Sequence, residues 1–315
     1  MKGVKGGMMG MKIELFGLVL PEVCPGDDLV GMIVDAAGKV AGGIEDRDVL
    51  VVTSKVVSKA YNLLIKMEKV EPKREALRIA KKTGMDPRMV QAVLDNSEEI
   101  LFAMPYRRLV EKGLIDITIV SKDLGRAHEV IDKIPCILCV RRDKQFYSDA
   151  GLDFSNHPEG VVSVPPRDPD SYAKELRKRI TEATGKEVAV VISDTEGVIG
   201  LAGSLDIARG SSGIEVLARS FGEMDRFNKP KFAGADNIPS ELACASALLM
   251  GQTAEGIPVV LVRGLKYNKS EKGILDYSMT SKEYRNVLKE IVRESARVIG
   301  VRRGLSLLYG RASTE

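Results

Sequence analysis

The run Val188-Ala189-Val190-Val191-Ile192, followed at once by Ser193, Asp194 and Thr195, constrains this chain more than any other stretch. Apolar, largely β-branched residues without polar alternation fit a strand buried on both faces, and that requires a layered α/β architecture with cover on each side of the sheet. Open sheets of this kind place their chemistry at the carboxyl ends of the strands, so Asp194 and Thr195 are expected where the strand breaks. A second carboxylate segment, SDAGLDFSN at 148–156, brings Asp153 after the small residues Ala150 and Gly151 and ahead of Ser155 and Asn156. Either aspartate alone also fits a turn or a helix N-cap. Together, with hydroxyl and amide neighbours, they suit Mg²⁺ or Mn²⁺ bridging a polyphosphate, because hard carboxylate oxygens select small divalent cations.

The balance of 47 basic against 44 acidic residues leaves a net charge of +3 over 315 residues. No global field attracts nucleic acid or an anionic membrane, and neither is expected as a partner. Any anion must be held locally. Cys24, Cys136, Cys139 and Cys244 are scattered in the manner of a reducing compartment, and no stretch approaches the ~20 apolar residues of a membrane span. A cytoplasmic location is therefore expected. Cys136 and Cys139 have CxxC spacing but lie in an apolar strand-like run with no second pair, so they read as structural. Residues 1–10, rich in Gly and Met, are expected to be a flexible leader outside the fold.

Residues 49–52 read as a short buried strand that opens into Thr53, Ser54 and Lys55, with Lys59 following. Hydroxyls and lysine charges there can replace water on phosphate oxygens. Residues 72–82 read as a helix stopping at Gly84, and Asp86-Pro87 starts a second. Strand-like runs occur at 115–120 and 137–140. Asp168-Pro169 opens a helix that ends at Gly185, just before the Val188 strand. The glycines at 197, 200, 203, 210 and 213 match neither a dinucleotide-binding fingerprint nor a phosphate-binding P-loop. Residues 241–250 read as a helix, 259–262 as a buried strand, and 281–299 as a helix with Thr280 and Glu283 as a capping box. Tyr284, Val287, Leu288, Ile291, Val292 and Ile299 share one face of that last helix.

In order along the chain, LPEVCPGDDL (20–29), SKVVSKA (54–60), SDAGLDFSN (148–156), PPRDPDSYAKELR (165–177), ISDTEG (192–197), LLMGQTAEGIP (248–258) and VVLVRGL (259–265) resemble the coenzyme F420-0:γ-glutamyl ligase family. The resemblance implies a mixed α/β (α+β) fold of two packed subdomains, with a ligase-like domain over 11–265 and a helical extension, 266–315, packed on it. It implies amide formation between L-glutamate and a small-molecule cofactor acceptor, driven by GTP, with ATP open as an alternative, and assisted by Mg²⁺ or Mn²⁺ in a homodimer. Asp153 and Asp194 would be the catalytic metal ligands, with Thr195 and Gln252 completing the metal site. Pro21, Glu22, Val23, Cys24, Ser54, Lys55, Lys59 and Asn156 would meet the nucleotide.

The chain departs from the family pattern in several places. Val198 and Leu201 stand where relatives carry arginine, Cys24 also replaces an arginine, and the stretch between Glu99 and Asp149 and the tail after Leu265 are longer. Arg209 is a candidate replacement for one lost charge. These departures leave two other readings open, a glutamyl ligase for a pterin- or folate-type acceptor and a nucleotide-binding paralogue without turnover.

Overall fold

The computed structural model describes residues 12–301 apart from Ile199 and Leu201. The expected leader and the Leu201 position therefore lie outside the described residues. The strands are β1 (Glu14–Leu18), β2 (Val49–Thr53), β3 (Leu64–Lys66), β4 (Glu99–Met104), β5 (Ile137–Arg142), β6 (Gln145–Ser148), β7 (Val161–Ser163), β8 (Ala189–Gly197), β9 (Ser204–Ser212) and β10 (Val259–Arg263). The helices are α1 (Leu29–Ala41), α2 (Ser54–Ala60), α3 (Arg74–Thr83), α4 (Pro87–Asp95), α5 (Tyr106–Glu111), α6 (Leu124–Lys133), α7 (Pro169–Thr184), α8 (Ile238–Met250) and α9 (Ser281–Ile299).

The principal sheet has five strands in the order β1-β10-β2-β8-β9, with β2 and β8 parallel and the other neighbours antiparallel. Successive side chains point to opposite faces, and both faces are covered. Leu50, Val52, Val190, Ile192, Val259 and Leu261 pack with α1 and α7, whereas Val49, Val51, Val191, Val260 and Val262 pack with α8. This double burial is why β2, β8 and β10 are continuous apolar runs. Gly210 of β9 allows the start of α7 to approach the sheet; a Cβ there would sit 2.4 Å from the Pro169 carbonyl carbon.

A second subdomain has its own core, in which α3 and α4 (Ala76, Ala80, Val90, Val93) pack with Leu138, Val140, Tyr147, Leu152 and Val162. It holds the β4-β5-β6 meander and the β3-β7 pair. Asp143 and Lys144, both with positive φ, form the two-residue turn between β5 and β6, a geometry that matches strand twist. The helix ends follow the sequence closely. Gly84 and Gly185 adopt left-handed conformations after α3 and α7, and Asp86 caps α4 by accepting the Arg88 N–H at 2.8 Å.

Two expectations about strands need correction. Residues 115–120 form turns rather than a strand, because Asp116 draws in the Thr118 N–H and hydroxyl at 2.9 and 2.7 Å and curls the chain locally. Asp194 and Thr195 do not end their strand, since β8 runs on to Gly197 paired with β9. What ends at Thr53 and Ser193 is the parallel β2-β8 ladder, just beyond a register shift between Ile192 and Ser193. Asp194 thus still lies past the carboxyl ends of the parallel pair.

The described chain divides into two compact units after Tyr277 rather than after Leu265. Residues 266–277 belong with the first unit because Tyr267 and Ile274 are buried in its core. In the second unit α9 carries the expected capping box, with the Thr280 hydroxyl accepting the Glu283 N–H and the Glu283 carboxylate accepting the Thr280 N–H. Val287, Leu288, Ile291, Val292 and Ile299 are exposed along it.

Candidate active site

Between the two subdomains of the first unit lies a cleft of about 690 Å³, floored by the ends of β2 and β8. It is lined by Pro21, Glu22, Val23, Ser54, Lys55, Lys59, Asp153, Asn156, Asp194, Thr195 and Gln252, which brings the sequence-derived candidates together from five separate segments. Cys24 is the exception. It lies outside the lining, and its N–H bonds the Asp27 carboxylate at 2.8 Å in a local turn.

Asp153 and Asp194 enter from different subdomains and have opposite electrostatic settings. Burial works against ionisation of Asp153, but Lys55 at 2.8 Å and the Ser155 N–H at 2.7 Å outweigh it and hold the carboxyl below its ordinary value. Burial pushes Asp194 up to about 6; Arg209 opposes this, while Asp153 and Glu196 add to it. Its single donor among the described residues is the Thr195 N–H at 3.0 Å. Asp194 is thus the carboxylate that a cation would relieve most.

Thr195 faces Asp206 across the β8-β9 ladder, and its hydroxyl donates to Asp206 at 2.7 Å with the Gln252 side chain 3.3 Å away. Asp206 is a cleft residue that sequence reading missed. Burial raises its carboxyl, with hydrogen bonds from Thr195 and Gln252 acting the other way. Folding 204–212 back on ISDTEG as a hairpin would have found it, but the intervening glycines hide the strand.

Lys59 is nearly buried and bonds Glu22 at 2.5 Å and the Asn156 carbonyl at 2.6 Å. The Asn156 amide donates to the Thr253 carbonyl at 3.0 Å, tying the SDAGLDFSN segment to the loop after α8. Arg209 lines the cleft but is already committed. One guanidinium nitrogen bonds Glu196 at 2.7 Å, another the Phe146 carbonyl at 2.6 Å, and the group stacks 3.7 Å over the Tyr147 ring. Glu196 in turn accepts the Ser148 hydroxyl at 2.5 Å. This buried pair joins β8 and β9 to β6 of the other subdomain and leaves Arg209 unable to act as a free substitute for a missing arginine. Val198, where relatives were expected to carry one of those arginines, is exposed just past β8. Burial first, then Glu196 and Asp149, push the Cys139 thiol to about 12, and burial also raises Cys136, so both stay protonated as packing residues.

The cleft is strongly acidic, with seven carboxylates against three cations along its walls. Among the described residues, no three His, Cys, Asp or Glu side chains converge closely enough to hold an ion by themselves. The available donors, Asp153, Asp194, Asp206, Thr195 and Gln252, are all hard oxygens suited to Mg²⁺ or Mn²⁺ with part of the coordination supplied from outside the protein. They fit such a cation.

Fold and site define a two-subdomain α/β protein with an acidic cleft beyond a parallel strand pair. The chain belongs to the F420-0:γ-glutamyl ligase family, whose model matches residues 17–264. It is 35% identical over 274 residues to the coenzyme F420:L-glutamate ligase of Archaeoglobus fulgidus, covering 87% of this chain and 95% of that protein. The proteins of the same name from Methanopyrus kandleri and Methanothermobacter thermautotrophicus are 36% and 32% identical, covering 83% and 84% of this chain and 90% and 94% of theirs. No helix among the described residues is long and apolar enough to cross a membrane.

Proposed function

We propose that this protein joins the amino group of L-glutamate to a carboxylate of a small cofactor acceptor of the coenzyme F420-0 kind, using a nucleoside triphosphate and a divalent cation. The observation that carries this reading is the acidic cleft that Asp153 and Asp194 line from two subdomains together with Lys55 and Lys59. A triphosphate cannot enter seven carboxylates unaided. Asp153, Asp194, Thr195 and Gln252 would hold Mg²⁺ or Mn²⁺, which when bound offsets negative charge on the phosphates and polarises the transferring group. Lys55 is then released from Asp153 to bind phosphate, and Lys59 together with Ser54 and the Asn156 segment positions the nucleotide.

The γ-phosphoryl group passes to the acceptor carboxylate, giving an acyl phosphate and a nucleoside diphosphate. The glutamate amine attacks the acyl carbon, loses a proton, and phosphate leaves as the amide forms. No side-chain nucleophile is consumed. GTP is the nucleotide this reading favours, with ATP as the comparison. The family reading also makes the protein a cytoplasmic homodimer. Light scattering at micromolar concentration should give about twice 34.3 kDa, and a monomer in the presence of Mn²⁺ and nucleotide removes that part of the reading.

The test is mass-spectrometric detection of glutamyl addition. Purified protein is incubated with glutamate, Mn²⁺, GTP or ATP, and either F420-0 or a pteroate-type acceptor. Glutamylated F420-0 formed only with metal and nucleotide is the expected result. Phosphate-anchored acceptors lose a charge-assisted hydrogen bond where Val198 replaces arginine, worth about 1.5–3 kcal/mol. Val198→Arg should therefore raise transfer to F420-0 roughly tenfold or more by the same arithmetic. Transfer to the pteroate acceptor alone shifts the reading to a folate-type ligase. No transfer to either, with nucleotide still bound, identifies a paralogue without turnover.

A further inference from the structure

Three consecutive residues of the segment that carries Asp153 have positive φ: Asp149 at 46°, Ala150 at 57° and Gly151 at 72°. L-residues, unlike achiral glycine, resist this conformation, and it persists only where the surroundings over-determine it. Gly151 is needed twice over, since a Cβ there would lie 2.6 Å from Pro165 and 2.9 Å from the Tyr147 ring. Asp149 is anchored by the Leu138 N–H, which bonds its carboxylate at 2.8 Å. Ala150 has no side chain with which to hold itself.

Its carbonyl is held by Arg142. One terminal nitrogen of the guanidinium donates to the Ala150 carbonyl at 3.0 Å, the other donates to the Pro165 carbonyl, and Nε reaches Asp143 at 3.2 Å. Arg142 is only 1% exposed and lies outside the cleft lining. Its two carbonyl partners belong to the two backbone stretches that meet at Asp153. Ala150 lies three residues before Asp153, and Pro165 lies two residues after Ser163, whose backbone pairs with that of Asp153 through bonds of 3.1 and 2.9 Å.

We infer that Arg142 is a positioning residue that clamps the left-handed turn and so presents Asp153 to the cleft it shares with Asp194, setting divalent-cation affinity without touching the cation. This rests on the reading of Asp153 as a metal ligand. A planar guanidinium can bridge two carbonyls at fixed separation, which a lysine ammonium does poorly. Removal of a group that orients a metal ligand typically weakens metal affinity by about 10–100-fold.

Mn²⁺ titration calorimetry in the presence of GDP, at a temperature where each protein is folded by circular dichroism, tests this on the full chain. Arg142→Lys and Arg142→Met should bind Mn²⁺ at least about tenfold more weakly than the parent. Ala150→Gly relieves the strain that Arg142 holds, so it should be close to neutral alone and should restore most of the affinity when combined with Arg142→Lys. Loss of packing alone would lower the melting temperature without such rescue. Parent-like Mn²⁺ affinity in the Arg142 variants, or a loss that Ala150→Gly does not restore, overturns the clamp. If Arg142→Met fails to fold, Arg142→Lys with and without Ala150→Gly decides. Asp153→Asn separates the two levels of the argument: if it binds Mn²⁺ as tightly as the parent, the ligand assignment fails and the clamp with it, whereas weakened binding in Asp153→Asn beside parent-like Arg142 variants refutes the clamp alone.

Discussion

Asp194→Asn is expected to lower the joint affinity for Mn²⁺ and nucleotide by at least about a hundredfold, the loss of roughly 2.7 kcal/mol that follows removal of a charged partner from a charge-dense site. The same substitution should stabilise the protein without ligands. Burial, with Asp153 and Glu196 adding and Arg209 opposing, puts the Asp194 carboxyl at about 6, above an unfolded value near 3.9. The folded state therefore holds this proton more tightly than the unfolded chain. The associated stability is fully present below about pH 4 and is lost as pH rises through about 6. At pH 7.5 the ionised group costs the apoprotein on the order of 1–3 kcal/mol. Asparagine carries no such cost, so the variant should melt a few degrees higher than the parent at pH 7.5, with the gap closing towards pH 4. Calorimetry for binding and scanning calorimetry for melting read both effects. Undiminished Mn²⁺ and nucleotide binding in the variant would remove Asp194 from the site.

The second large effect is on stability. Arg209→Met should cost about 3–5 kcal/mol, because it leaves the Glu196 carboxylate buried without its guanidinium. Arg209 and Glu196 are 2% and 8% exposed, so solvent screens the pair little. Changing both residues, as in Arg209→Met with Glu196→Leu, should recover much of that loss because no uncompensated charge remains. Urea unfolding of the parent, the two single variants and the double variant closes the cycle. Equal, additive losses from the two single changes would show that the groups are not coupled. Because Glu196 also accepts the Ser148 hydroxyl at the end of β6, the Arg209 variant should weaken Mn²⁺ binding even under conditions where it remains folded.

The two carboxylate segments, the buried strands, the Asp86, Asp168 and Thr280 caps and the Gly84 and Gly185 stops were all legible, since each depends on neighbours within a few residues. The 115–120 run misled for a related reason. Its apolar residues look like a strand, but the Asp116 side chain captures nearby backbone and folds the segment into turns.

What the sequence by itself determined was therefore the set of local elements and the chemical character of the cleft, because side-chain period, capping and carboxylate type are properties of contiguous residues. Only the tertiary structure decided which distant groups meet. It paired Lys55 with Asp153 and Lys59 with Glu22, set Asp206 opposite Thr195, and left Cys24 outside. It turned Arg209 from a candidate replacement for a lost charge into half of a buried ion pair, and it gave Arg142 the Ala150 and Pro165 carbonyls. These partnerships join residues from about 8 to about 100 positions apart, and their energies depend on burial and approach distance, which exist only once the two subdomains have closed around the cleft.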